Sequence, residues 1–433
     1  MVKKNKVAFC SLGCKVNQYE TNAMAQKFIE HGYEVVEFDE PADIYIVNTC
    51  TVTSIADRKS RQMLRRAKEI NKNSILVACG CYAQVAPDEI TKIDEIDVII
   101  GNNEKNDIIN IIEKHIKENG LESKVSDVMY KEEYVEFGPT TYTEKTRAVI
   151  KVQDGCDRFC SYCLIPYARG HIRSRKIENV IEEVEDIVSK GFKEIVVTGI
   201  HVASYGRDFK DGTTLIDLLE RINNVEGLKR IRLSSIEPII MTEDFINRLS
   251  KLDKICNHFH LSLQSGCTET LKRMNRRYTA EEFYEATNRL RAKFPEAALT
   301  TDVIVGFPGE TDEEFNKTYE FLKKIGFYHM HVFKYSPRKG TRAASMPNQI
   351  DGKIKEERSK KLIELSNELE LKYNLNFVGK TVEVLFEEKE EDYFKGHTKN
   401  YMLVKYKTEN EDLENKIINV KITNATMECL ISE

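Results

Sequence analysis

The sequence predicts an α/β protein of three units: an N-terminal doubly wound parallel sheet, a central partial (β/α)6 barrel of TIM type, and a small C-terminal β-barrel. Three features predict it. Short apolar strands alternate with helical stretches over residues 1–120, the alternation resumes at residue 147 for six further strands, and beyond residue 369 the texture turns β-rich and helix-poor. A chain of 433 residues is too long for one ordinary core, and its 41% hydrophobic content suffices for several.

In the first unit the strands read 6–12, 33–38, 43–47, 74–79 and 97–100, with apolar positions at helical spacing across 18–31, 56–70 and 106–117. Residues 121–146 are polar and charged around a Gly138-Pro139 break and read as a linker. The barrel strands are 148–152, 194–198, 230–234, 258–263, 300–305 and 329–335, with helices such as 178–190, 280–293 and 312–324 between them, which sets the second unit at 147–368. Another open doubly wound sheet is the alternative for this unit. A charged helical stretch, 356–373, then leads into strands 382–386, 401–406 and 417–422 of a unit spanning 369–433.

Charge and hydropathy narrow the function. The 65 Lys+Arg against 70 Asp+Glu, a formal net charge of −5, give no global field that draws polyanions. No apolar run approaches the ~20 residues of a membrane span. The four apolar residues 7–10 after a basic start are too short for a signal-peptide core, so a cytoplasmic protein with no membrane association is expected. Thiols stay reduced there, which makes the eleven cysteines core residues, ligands or nucleophiles rather than disulfides.

Cys156, Cys160 and Cys163 lie within eight residues on the loop after the first barrel strand, where three thiolates can converge on one metal centre. Zinc sites usually take four ligands, commonly as two CxxC pairs, and a [4Fe–4S] cluster normally takes four cysteines. Three cysteines leave one iron open to a substrate or cofactor. A partial zinc site or unrelated core cysteines are the plainer alternatives. The CxxxCxxC spacing resembles the signature of the radical S-adenosylmethionine superfamily. That resemblance implies a [4Fe–4S] cluster whose open iron chelates S-adenosylmethionine and whose electron splits it to a deoxyadenosyl radical. It further implies cofactor contacts from polar residues at the strand ends: Thr198, Gly199, Ser235, Glu237, Gln264 and Asp302, with Tyr162 packing on the adenine. Each of these equally suits a helix cap or a satisfied buried backbone group.

A second set shares another setting. Cys14, Cys50 and Cys81 each follow a strand of the first unit, and loops after parallel strands gather at one sheet edge. Cys10 and Cys79 sit inside apolar strands and read as core; Cys256, Cys267 and Cys429 have no nearby cysteine and read as structural. With both sets in order, the chain resembles the radical S-adenosylmethionine methylthiotransferases over nearly its whole length. Its end is similar to a TRAM domain, an RNA-binding β-barrel. The resemblance implies a second, auxiliary [4Fe–4S] cluster on Cys14, Cys50 and Cys81, with the transferred sulfur on its open iron. It also implies two uses of S-adenosylmethionine, one methylating that sulfur and one generating the radical that takes hydrogen from the substrate.

Basic residues concentrate despite the acidic total: Arg58, Lys59, Arg61, Arg65, Arg66 and Lys68 after Cys50; Arg169, Arg173 and Arg175 after the radical loop; Lys272, Arg273, Arg276 and Arg277; and Lys334, Arg338, Lys339 and Arg342. Such runs beside active-site loops suit a phosphate backbone, although solvated helix faces account for most charge runs. The segments Gly13-Cys14-Lys15-Val16-Asn17-Gln18, Asn48-Thr49-Cys50-Thr51-Val52-Thr53 and Pro166-Tyr167-Ala168-Arg169-Gly170 resemble the subgroup that acts on threonylcarbamoyladenosine. The implied reaction places a methylthio group at C2 of that nucleoside at position 37 of the tRNA anticodon loop, on a base unstacked to reach the site. A small electron donor such as flavodoxin or ferredoxin is the implied second partner. The alternatives are the same chemistry on isopentenyladenosine of tRNA or on a ribosomal-protein aspartate, and, from another class, an RNA-binding iron–sulfur redox sensor.

Overall fold

In the computed structural model, which describes residues 5–118, 121–131, 133–138, 140, 146–408 and 412–433, β3 (Ile44–Thr49) is buried along its whole length. Such a run belongs to a strand covered on both faces. It lies at the centre of a parallel sheet with β1 (Lys6–Ser11), β2 (Glu34–Val36), β4 (Ile75–Gly80), β5 (Val98–Ile100) and β6 (Glu122–Lys124), in the order β2-β1-β3-β4-β5-β6. Alternate side chains feed two cores. Ile46 and Val77 pack with Phe28 and Ile108 on one face, while Tyr45 and Leu76 pack with Leu64 and Ala67 on the other. Strand order reverses between β1 and β3, and that switch point is where parallel sheets open a crevice at their carboxyl edge. The sixth strand lies in the stretch read as linker; an edge strand of Glu-Ser-Lys carries no apolar signal. Residues 132, 139 and 141–145 of that reading, like residues 1–4 at the basic start, lie outside the described residues.

The second unit contains β7 (Arg147–Asp154), β8 (Arg173–Ser174), β9 (Glu194–Gly199), β10 (Arg230–Leu233), β11 (His258–His260), β12 (Ala298–Val305) and β13 (His329–Lys334). Two parallel arcs, β7-β9-β10 and β11-β12-β13, are joined by the bridges Ile231↔Ile255 and Ile236↔Leu261. The result is the predicted six-stranded partial barrel rather than an open doubly wound sheet. Its outer helices start on reciprocal caps, Thr279 with Glu282 and Thr311 with Glu314, which satisfy the first free amides. Leu290, Phe283 and Leu322 pack them onto barrel residues such as Phe259 and Leu299.

A long helix, Gly352–Leu375, leads to a largely antiparallel half-barrel. Its strands are β14 (Thr381–Glu390), β15 (Tyr393–Thr398), β16 (Leu403–Lys407), β17 (Ile417–Lys421), β18 (Asn424–Ala425) and β19 (Leu430–Ser432), in the order β17-β14-β15-β16-β19-β18. Phe386, Phe394, Val404 and Leu430 form its core. Arg230 and Arg232, buried on β10, donate to the carbonyls of His397, Lys399 and Thr398 and thereby dock this unit against the barrel. Among the described residues, no helix is long and apolar enough to cross a membrane.

Candidate active site

The loop after β7 is held in shape before any ligand is considered. Gly155 has φ +72°, and a Cβ there would sit 1.8 Å from the carbonyl oxygen of His171, so only glycine fits. The Cys156 amide donates to Gly170 O (2.9 Å), the Cys163 amide to Cys160 O (2.9 Å), and Asn275 Nδ2 to Phe159 O (2.9 Å). Gly155→Ala is therefore expected to displace Cys156 and to lower the iron this loop can hold, read by iron assay of the anaerobically purified protein.

Burial pushes the Cys156 thiol up to about 11 and raises Cys163 as well, and their neighbour Cys160 raises both. Arg276 Nη1 donates to Cys160 Sγ (3.4 Å), and the Ile165 amide to Cys163 Sγ (3.4 Å). Behind the loop, Glu237 pairs with Arg158 (2.5 Å), Arg276 (3.3 Å) and His201 (3.2 Å). Burial alone would raise its carboxyl, but the His201 hydrogen bond and the charges of Arg276 and Arg158 outweigh it and hold Glu237 at about 2. The stability this gives is present above the ordinary carboxylate range and is lost as pH falls toward 2. Glu237→Gln strands two buried guanidiniums and is expected to cost about 3 kcal/mol in guanidinium unfolding, a gap constant from pH 6 to 8.

The auxiliary set gathers at the sheet's switch point. Cys14 precedes the helix Lys15–Glu30 after β1, Cys50 follows β3, and Cys81 opens the helix Cys81–Val85 after β4. A Cβ on Gly13 would meet Cys50 Sγ at 2.5 Å, which shows how closely the first two loops approach. Asn17 Nδ2 ties them by donating to Leu12 O (2.8 Å) and Thr49 O (3.0 Å). Burial pushes Cys50 up to about 12, with Cys81 and Cys14 adding to it, whereas Cys14 itself is exposed.

Arg169, fully buried, joins the two halves. Its Nε donates to Cys81 Sγ (3.3 Å) and its Nη2 to Asn17 Oδ1 (2.6 Å) and Glu20 Oε2 (3.0 Å). Lys105 and Lys151 also pair with Glu20, and Lys151 (2.6 Å), Arg169 (3.5 Å) and Arg173 (3.7 Å) pair with Asp154. The Lys151, Arg169 and Arg173 charges outweigh burial and hold Asp154 at about 2. Four buried cations thus surround two carboxylates. A surplus of buried positive charge is costly alone, and the thiolates of a bound cluster offset it. Neither set of three sulfurs lies within 4.8 Å of one another, which is too wide for a single zinc ion; that spread, one sulfur in each set hydrogen-bonded by an arginine, and the surplus of positive charge fit anionic iron–sulfur clusters better. Arg338 closes the same interface from the barrel side, donating to Thr51 Oγ1 (2.7 Å) and Asp57 Oδ2 (2.5 Å).

Of the remaining predicted residues, Tyr162 sits between Cys160 and Cys163, edge-on to Phe307 at 6.3 Å. Thr198 and Gly199 end β9, and a Cβ on Gly199 would lie 2.9 Å from the Gln153 carbonyl. Gln264 holds φ +71° in a bridge to Val303. Ser235 and Asp302 line a cavity shared with Cys14. One sequence expectation is corrected. Arg169, Arg173 and Arg175, read as phosphate contacts, are at most 2% exposed and belong to internal ion pairs, Arg175 with Glu136 and Glu183. Arg276 and Arg338 are likewise buried partners, whereas Arg58, Lys59, Arg65, Arg277, Lys339 and Arg342 are exposed. Sequence reasoning passed over Arg158 and Asn17, although Asn17 stands inside a motif it quoted.

Residues 150–322 match the radical SAM superfamily, and residues 6–101 match an uncharacterized protein family, UPF0004. The threonylcarbamoyladenosine tRNA methylthiotransferase MtaB of Bacillus subtilis is 46% identical over 97% of this chain and 94% of its own. Its counterpart in Aquifex aeolicus is 42% identical over 88% and 92%. The tRNA-2-methylthio-N(6)-dimethylallyladenosine synthase of Caldicellulosiruptor saccharolyticus is 36% identical over 99% and 93%. Among solved structures, the radical S-adenosylmethionine methyltransferase TsrM of Kitasatospora setae superposes with TM-score 0.58 at 15% identity, covering 79% of this chain and 77% of that one, a likeness of fold. With two three-cysteine loops on these two units and full-length identity of this order, the chain belongs to the radical S-adenosylmethionine methylthiotransferase family, whose cofactors are [4Fe–4S] clusters and S-adenosylmethionine.

Proposed function

We propose that this chain inserts a methylthio group at C2 of N6-threonylcarbamoyladenosine at position 37 of tRNA. The observation that carries the reading is the 46% identity over 97% of the chain to a relative of that name, against 36% to a dimethylallyladenosine enzyme. In this reading Cys156, Cys160 and Cys163 hold the radical cluster, and Cys14, Cys50 and Cys81 the auxiliary one. When bound, the clusters and S-adenosylmethionine supply the radical and sulfur chemistry that an unactivated C–H bond requires.

The protein's own residues do the rest. Arg276 and Arg169 each hold one cluster sulfur by a hydrogen bond, which tunes charge and position. The Glu20–Arg169–Asp154 network and the Arg338–Asp57 pair clamp the two cluster-bearing faces and keep water from their contact. Tyr162, Thr198, Gly199, Glu237 and Gln264 frame the cofactor side, Glu237 by holding Arg158 and Arg276 behind the loop, while Ser235 and Asp302 stand where that side meets the cavity shared with Cys14. The N-terminal unit, closed by β6 inside 121–146, the barrel of 147–368 and the C-terminal half-barrel within 369–433, reached through the helix Gly352–Leu375, then act as sulfur carrier, radical source and RNA grip. Exposed Arg58, Lys59 and Arg65, with Arg277 and Arg342, suit the phosphates of the anticodon stem-loop. Electrons come from a small carrier such as flavodoxin or ferredoxin, in the cytoplasm.

Expression in cells lacking their own methylthiotransferases, followed by nucleoside mass spectrometry of bulk tRNA, tests the reading. The methylthio form of threonylcarbamoyladenosine is expected. Its isopentenyl counterpart would overturn the substrate and keep the chemistry, and no modified nucleoside would overturn both.

A further inference from the structure

Strands β11 and β13 read His258-Phe259-His260 and His329-Met330-His331, so the two-residue period of a strand sets paired imidazoles on the same faces. All four histidines, with Asp302 of β12 between them, line a cavity of about 630 Å3 that Cys14 and Lys15 also line. The imidazoles are organised. Thr300 Oγ1 lies 3.2 Å from His258 Nε2 and 3.1 Å from His260 Nδ1; His260 Nε2 faces Asp302 at 3.4 Å; and the His260 and His331 rings stack at 5.9 Å. His260 Nε2 is buried and has no hydrogen-bond partner. Lys15 is accessible from the cavity, and among the described residues no carboxylate lies within ion-pair distance of its ammonium. The cavity holds an ammonium, unsatisfied imidazole nitrogens and three carboxylates, Asp302, Glu370 and Glu428, of which Glu370 is taken up by His329 at 2.7 Å; with Lys15 on its wall it suits a ligand that offers a carboxylate with hydroxyl and amide groups. A prenyl group would leave all of them unpaired, at a cost.

Its position matters as much as its chemistry. On a purine, C2 and N6 share one ring edge, separated by N1 and C6. A base whose C2 faces the sulfur beside Cys14 therefore carries its N6 substituent past that residue, into the space next to it. We propose that this cavity receives the N6 substituent of the substrate adenosine, with Lys15 pairing with its carboxylate and the His260–Asp302–His331 face taking its hydroxyl and carbamoyl groups. The proposal rests on the threonylcarbamoyladenosine reading and adds to it the residues that set specificity.

The test uses anaerobic protein carrying both clusters and two anticodon stem-loop RNAs, one with threonylcarbamoyladenosine and one in which its carboxylate is converted to a neutral amide. Wild type is expected to bind the first about 10- to 100-fold more tightly. Lys15→Met should bring that ratio close to one, and Lys15→Arg should restore it, with iron content and melting midpoint matching wild type in both. A Lys15→Met protein that keeps the full ratio overturns the proposal. So does a wild type that makes methylthio product yet binds both RNAs equally, and so does a stoichiometric divalent metal, beyond cluster iron, that His331→Ala removes. A wild type that makes no product from the first RNA overturns the underlying reading instead.

Discussion

Cys156→Ala is expected to abolish S-adenosylmethionine cleavage, with a loss of at least about 10⁴-fold, because a cluster with one ligand missing has nothing on this loop to replace it. Iron should fall by about four per chain while the auxiliary set stays intact. Cys14→Ala provides the complementary case. It should also remove about four irons but leave deoxyadenosine formation, since Cys14 lies at the switch point of the first sheet and not on the radical loop. Liquid chromatography of deoxyadenosine alongside an iron assay separates the two. Equal iron loss with equal loss of cleavage in both variants would show that the sites are not independent.

Arg169→Gln carries the second large effect. The guanidinium is wholly buried and serves Glu20, Asp154, Asn17 and Cys81 together, spanning both halves of the protein. Glutamine is too short to reach them all and leaves Glu20 with only its two lysines. Breaking a buried pair from one side costs about 3–5 kcal/mol, which corresponds, for a chain of 433 residues, to an apparent melting midpoint lower by about 3–6 °C. Because the bond to Cys81 is lost as well, the auxiliary cluster's reduction potential should shift while that of the radical cluster does not, as read by redox titration with electron paramagnetic resonance. Arg169→Lys keeps the charge but not the fork, so it should recover part of the stability and little of the potential. A variant with unchanged midpoint and unchanged potential would falsify the bridging role.

Much of this architecture is legible in the residues, and what escapes does so for physical reasons. Five strands of the first sheet and all six of the barrel announce themselves as short strands between helices of 3.6-residue period, most clearly those covered on both sides, such as β3, β4 and β9. β6 escapes because an edge strand of Glu-Ser-Lys needs no apolar face. β15 escapes because Lys395, Gly396 and His397 interrupt its alternation; Gly396 is required there, since a Cβ would lie 2.4 Å from the Leu385 carbonyl. Both cysteine sets can be placed from the simple rule that loops after parallel strands share an edge. The arginines mislead because sequence shows charge without burial. Arg169, Arg173 and Arg175 read as a phosphate patch, and only the fold reveals Glu20, Asp154 and Glu183 beneath them. The four histidines fail to stand out for a related reason. An alternating His-x-His is an ordinary strand pattern until two such strands are seen flanking Asp302 and facing Cys14.

The central claim is that two three-cysteine sites, clamped face to face by Arg169 and Arg338, cooperate in a single methylthio transfer. The most direct test incubates the anaerobic protein with S-adenosylmethionine, a reductant and a threonylcarbamoyladenosine stem-loop RNA, and counts products. The account predicts one deoxyadenosine and one S-adenosylhomocysteine for each methylthio nucleoside formed. Deoxyadenosine and S-adenosylhomocysteine accumulating without that nucleoside, or the nucleoside forming undiminished in Cys14→Ala, would contradict it.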